Sequence, residues 1–211
     1  MRIRNKEWHK TIFEDAKEKL VIDPKVNKGK WHSVLNCEVL HVEIGAGKGD
    51  YWIKMSQLYP EHGFVAIERD KKVAAIALKK QLDTDIPHSL FITEDAIKLD
   101  EWFEQGEIDI LHLNFSDPWP KKSHNKRRLT TSEFVNTYHR LLSDHGELQI
   151  KSDNRDFFEF SVVHLSNNGF NCCEISLDYR AINREDDVIT EYEQRFIDLN
   201  QPIFRSCWTK R

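Results

Sequence analysis

Short strand-like runs alternate with helical patterns from residue 39 to the end of the chain, and this alternation limits the possible folds more than any other feature. Residues 39–44, 64–67, 89–93, 108–115, 147–151, 172–177 and 203–208 read as seven strands. Residues 50–58 read as a helix ended by Pro60 and Gly63. In 71–82, Ala74, Leu78 and Leu82 fall four apart on one helical face. Thr130-Thr131-Ser132-Glu133 fits a capping box for a helix through Leu142. Its inward residues are Phe134, Tyr138, Leu141 and Leu142, and Gly146 ends it. Asp153 or Asn154 can cap a helix carrying Phe157, Phe158, Val162 and Leu165, stopped at Gly169. The run at 108–115 suits a strand buried on both faces. The last two strands have no helix between them, so they are expected to pair antiparallel. The pattern predicts an α/β fold: an open, mostly parallel seven-stranded sheet with helices on both faces and an antiparallel last strand. In such sheets ligands bind at the carboxyl ends of the strands.

Composition narrows the setting. A chain of 211 residues with 39% hydrophobic and 31% charged residues can bury a core of its own. No apolar stretch approaches the roughly 20 residues of a membrane span. The start, MRIRNKEWHK, has no apolar segment of the secretory kind. Cys37, Cys172, Cys173 and Cys207 show no paired metal spacing and are expected to be reduced thiols in the core of a cytoplasmic protein. No HExxH motif or His/Cys cluster occurs, and no metal is expected. The net charge is −4, but it is unevenly spread. Residues 1–30 carry nine Lys or Arg against five acids, and are expected to form a basic, partly mobile arm with one short helix. Residues 31–211 are expected to form a single domain.

The first strand ends Glu43-Ile44-Gly45-Ala46-Gly47-Lys48-Gly49. Alternate glycines let the backbone turn sharply and come close to a ligand. The spacing is not the G-x-G-x-x-G of dinucleotide binders. The second strand ends in Glu68, where an acid can accept from both hydroxyls of a ribose. The third is followed by Glu94 and Asp95, where an acid can meet an adenine amino group. Each acid also fits as a helix cap. Glu43, next to the glycines, would repel a pyrophosphate and suits a cationic ligand, which favours S-adenosylmethionine over a nicotinamide dinucleotide.

The fourth strand runs into Asn114-Phe115-Ser116-Asp117-Pro118-Trp119-Pro120. Prolines on either side of a tryptophan stiffen that loop, and Asp117 stands at its start. Residues 121–128 then hold five Lys or Arg and no acid, a strip able to take phosphates.

With these motifs the chain resembles the bacterial tRNA (guanine-N7)-methyltransferases. The matching stretches are EIGAGKG at 43–49, Ile67-Glu68, NFSDPWPKKSHNKRRL at 114–129, IKSDN at 150–154 and TEYEQRF at 190–196. The family commonly has Arg where Ser123 stands and Thr where Ser152 stands. The first departure removes one phosphate contact; the second keeps a hydroxyl. The resemblance implies a Rossmann-like class I methyltransferase fold and methylation of guanosine N7 in tRNA, at position 46 of the variable loop. It implies that Glu43, Gly45, Gly47, Glu68, Asp95, Asn114 and Asp117 bind S-adenosylmethionine, with Asp117 also at the catalytic centre. It assigns Lys121, Asp153, Thr190, Glu191, Tyr192 and Glu193 to the guanosine pocket. Ser123, His124, Asn125, Lys126, Arg127 and Arg128 are assigned to RNA contact. Guanine presents N1–H and N2–H₂ donors, for which carboxylates such as Asp153, Glu191 or Glu193 are matching acceptors. Monomer and homodimer both remain open. Three rivals stand beside this reading: a nicotinamide-dependent oxidoreductase, a non-catalytic RNA-binding module, and a methyltransferase acting on another nucleophile.

Overall fold

The computed structural model describes residues 8–211. Its centre is one eight-stranded sheet of β1 (Leu20–Val21), β2 (Leu40–Ile44), β3 (Gly63–Ile67), β4 (Ser89–Ile92), β5 (Ile108–Asn114), β6 (Leu142–Ser152), β7 (Phe170–Ser176) and β8 (Phe204–Lys210). The spatial order is β1-β4-β3-β2-β5-β6-β8-β7. All neighbours are parallel except β8, which runs antiparallel to both β6 and β7. Eight strands replace the expected seven. The extra one, β1, is a two-residue edge strand paired with β4, too short to show a period. It lies in the segment expected to be an arm, and residues 1–7 of that arm fall outside the described residues.

The helices are α1 (Trp8–Asp15), α2 (Trp31–Leu35), α3 (Asp50–Leu58), α4 (Lys71–Leu82), α5 (Leu99–Trp102), α6 (Ser132–Leu141), α7 (Arg155–Asn167) and α8 (Glu191–Asp198). Trp31, Trp102, Tyr138 and Phe157 pack α2, α5, α6 and α7 on one face of the sheet. Tyr51, Trp52, Ala74 and Leu78 pack α3 and α4 on the other, with Ile12 and Phe13 of α1 against them. α4 covers the expected 71–82 because Asp70 caps it, accepting from the Lys72 and Val73 amides at 2.9 and 3.3 Å. Ala74 and Leu78 are buried as expected, but Leu82, in the last turn, is 43% exposed.

Three local expectations are corrected. The N-cap of α6 is Thr131, while Thr130 is buried and its hydroxyl meets Ser161 of α7 at 2.8 Å. Gly146 does not end that helix. The chain passes directly into β6 at Leu142, and Gly146 lies inside the strand, where a Cβ would come within 3.0 Å of the Ile108 carbonyl. Finally, Cys207 is buried, but Cys172 and Cys173 are exposed on edge strand β7.

From β2 the chain winds outward through β3 and β4, then returns to β5 on the other side. The carboxyl ends of β2 and β5 therefore flank a topological switch point, where such sheets open a crevice.

Candidate active site

Two cavities of about 440 and 350 Å³ open along that crevice. Gly45, Phe115 and Asp117 line both, so they form one cleft with two lobes. Gly45, Gly47 and Gly49 all have positive φ, at 79°, 57° and 79°. A Cβ at Gly45 would meet no atom within 4 Å, so its requirement is conformational and the space above it is open. At Gly49 the requirement is also steric, because a Cβ would lie 2.7 Å from Ala77 of α4.

The smaller lobe is built around Glu43. It is buried on β2, and its Oε1 accepts from Asn114 Nδ2 of neighbouring β5 at 3.1 Å. Its Oε2 is buried near the Trp52 amide and makes no hydrogen bond among the described residues. Burial raises the carboxyl to about 7, against the pull of the Asn114 bond and the Lys151 charge. A buried acid in the wall of a cavity, with one oxygen lacking a hydrogen bond, can receive a cation. The larger lobe holds Glu68 and Asp95. Glu68 accepts from the Gly47 amide at 3.2 Å and the Asp70 amide at 2.8 Å, which ties the end of β3 to the glycine turn. Asp95 caps the turn Ala96–Lys98, accepting from Ile97 N at 3.1 Å, and its other oxygen lies 3.5 Å from Arg69. Asp95 is thus a cap that also faces the lobe.

Beyond Asn114 the loop is held from behind. The Arg128 Nε donates to the Pro118 carbonyl at 2.8 Å and its Nη2 to the Trp119 carbonyl at 3.4 Å. Its guanidinium lies 4.4 Å from the Phe160 ring centroid, and the residue is buried. This corrects the expected strip. Arg128 is turned inward as a brace, while Ser123, Lys126 and Arg127 are exposed. His124 and Asn125 are half-buried. His124 sets its ring against Trp119 at 5.7 Å, and Asn125 buries its Oδ1 without a partner among the described residues. Arg127 covers the other part of Trp119, 4.8 Å from the ring centroid. Lys126 and Arg127 also reach the wall of the larger lobe.

The 190–193 segment caps and opens α8. Thr190 Oγ1 accepts from the Glu193 amide at 3.1 Å. Thr190, Glu191 and Tyr192 line the smaller lobe. Asp50, in the first turn after the glycines, accepts the Glu191 amide at 2.9 Å and pairs with Lys80, which also reaches Glu191 at 3.3 Å. Glu193 is corrected out of the pocket. It is fully buried, with Oε1 2.6 Å from Arg180 and Oε2 3.4 Å from Lys151, so neither oxygen is free for a base. Asp187 completes the quartet, 2.8 Å from Lys151 and 2.7 Å from Arg180. Asp153 is half-buried at the end of β6, and burial raises its carboxyl. Asp153 and Asp117 both act on the Tyr192 phenol, which burial first and these charges next push upward. Lys121 is exposed and lines neither lobe.

Sequence reasoning missed Asp50, Lys80, Arg180 and Asp187. Their signals were single charges with no motif around them, and only the fold brings them together.

The chain matches the family model Methyltransf_4, described as "Putative methyltransferase", over residues 37–206. It is 42% identical to the tRNA (guanine-N(7)-)-methyltransferase of Oceanobacillus iheyensis over 206 residues, covering 97% of each chain. It is also 42% identical to the enzyme of the same name from Streptococcus sanguinis, with the same coverage. Among solved structures it is similar to "Structure of an Antibiotic Related Methyltransferase", with a TM-score of 0.66 and 13% identity, over 87% of this chain and 94% of that one. It is also similar to the 16S rRNA methyltransferase KamB, with a TM-score of 0.61 and 14% identity, over 86% and 91%. These last two likenesses concern the fold.

Proposed function

The chain belongs to the tRNA (guanine-N(7)-)-methyltransferase family, and from that premise we propose that it transfers a methyl group from S-adenosylmethionine to N7 of a guanosine in tRNA. The observation that carries the cofactor reading is Glu43, a buried carboxylate with one unpaired oxygen beside an open glycine turn. A pyrophosphate would be repelled there, whereas an ammonium group fits.

S-adenosylmethionine supplies an electrophilic methyl group on a cationic sulfur. In this reading Glu43, with Asn114, holds the amino-acid end of the cofactor beside Gly45 and Gly47. Glu68 takes the ribose hydroxyls and Asp95 the adenine. Guanine N7 carries a lone pair and no proton at neutral pH, so no strong base is required. Asp117, which lines both lobes, orients the acceptor and stabilises the positive charge that passes to the purine. Asp153, Glu191 and Tyr192 border the base, with Thr190 fixing the turn that carries the last two. Lys121, Ser123, Lys126 and Arg127 meet the RNA backbone, with His124 and Asn125 shaping the turn between them. N7 lies on the deep-groove edge of A-form RNA, so the target guanosine is displaced from its stack or sits in a loose tertiary position. By family resemblance that guanosine is position 46, and the setting is the cytoplasm.

Incubation with an unmodified tRNA transcript and methyl-labelled S-adenosylmethionine, followed by nucleoside analysis, tests the reading. The expected product is 7-methylguanosine. Label on any other atom overturns the substrate assignment, and the absence of cofactor binding favours a non-catalytic RNA-binding module.

A further inference from the structure

Phe115 directly follows β5 with a φ of 52°, in the left-handed region that glycine adopts freely and a bulky side chain does not. Its backbone is still held in the sheet, with its amide donating to the Lys151 carbonyl at 2.8 Å. The ring is half-buried and joins neither hydrophobic core. It lies in the wall of both lobes, as does Asp117 two residues on. Tyr192 backs it, ring centroids 5.1 Å apart and tilted by 56°, and is itself 44% exposed. A strained aromatic residue that contributes to no core but divides two halves of a cleft is placed for a ligand.

We infer that Phe115, supported by Tyr192, is the stacking face that holds the target base at the junction of the lobes, next to Asp117. The inference rests on the proposed methylation of a guanine in tRNA. Every base has a π-face, so this contact sets the orientation of the base, and its identity is read at its edge by neighbouring acids. Phe115 is therefore a substrate-positioning residue distinct from the carboxylates that hold the cofactor.

The test compares Phe115→Leu, Phe115→Gly and Phe115→Tyr with the wild-type chain, using a tRNA transcript and labelled S-adenosylmethionine. Leu and Gly are expected to lower kcat/KM for tRNA about ten- to a hundredfold, the loss of one base–aromatic stack. S-adenosylmethionine affinity, measured by calorimetry, should be nearly unchanged, and Phe115→Tyr should retain near wild-type rates. Phe115→Gly relaxes the left-handed backbone, so a melting temperature close to wild type separates its lost activity from lost structure. Wild-type kcat/KM in Phe115→Leu would mean the ring is only apolar filling, and would overturn the inference. An equal loss of cofactor affinity would make the ring a cofactor wall, and would overturn it too. If the wild-type chain methylates a different base, the guanine reading fails. The Phe115→Leu to wild-type ratio on that base still decides the stacking claim, a loss supporting it and parity refuting it.

Discussion

At the scale of single residues, Glu43 shows function and stability pulling apart. Its carboxyl is raised from 4.5 to about 7, so the folded state binds the proton more tightly than the unfolded chain. The stability associated with that proton is complete below pH 4.5 and is lost as pH rises through about 7. At about 1.36 kcal/mol per pH unit, the loss is on the order of 3 kcal/mol. Glu43→Gln should therefore be more stable than wild type at pH 8 without ligand, with the difference fading towards pH 4.5, and should bind S-adenosylmethionine more weakly. Denaturant titrations at both ends of that range check it; a pH-independent difference would refute it. Asp117→Asn keeps the shape and removes the charge. It should reduce kcat far more than it weakens binding of either substrate, and a raised KM with unchanged kcat would make Asp117 a binding residue only. The acids at the strand ends were legible in the sequence, because a strand end is a position that periodicity can find. Arg128 was not, since in the sequence it is one more base in a run of five. Only the Pro118 and Trp119 carbonyls and the Phe160 ring beneath it distinguish it from Arg127.

At the scale of elements, α8 shows how a polar segment is anchored to the central sheet. Glu193, Asp187, Lys151 and Arg180 form a buried quartet of two acids and two bases, linking α8 and the segment before it to β6. Removing one partner leaves buried charge uncompensated. Glu193→Ala should cost about 3–5 kcal/mol of unfolding free energy. A variant of wild-type stability but with a selectively raised KM for tRNA would return Glu193 to the base pocket. The bounds of α4 and its Ala74 and Leu78 face were readable because that apolar spacing is local, whereas its Asp70 cap and the exposure of Leu82 came only with the structure. β1 was not, because two residues carry no pattern. The start of β6 was misread because Gly146 looks like a helix stop, whereas its glycine is required by the closeness of the Ile108 carbonyl. The parallel sheet and its antiparallel last strand were legible from the order of strands and helices alone.

At the scale of the whole molecule, a chain of net charge −4 must gather its positive charge locally to hold a polyanion. Two exposed residues of the strip, Lys126 and Arg127, reach the wall of the larger lobe, so RNA held there would lie across the cleft. Lys126→Ala with Arg127→Ala should weaken tRNA binding and make its salt dependence shallower by up to about two units of slope, leaving cofactor affinity intact. Arg128 is kept out of that variant because its loss would release the loop. Parallel salt lines of equal height would mean that the RNA lies elsewhere. The most direct measurement of the central claim uses the lability of the product. Guanine methylated at N7 becomes cleavable by borohydride reduction followed by aniline. A tRNA transcript treated with the wild-type chain and S-adenosylmethionine should then be cut once, at guanosine 46, and Asp117→Asn should leave it largely uncut. Methyl incorporation with no cut at any guanosine would contradict the account.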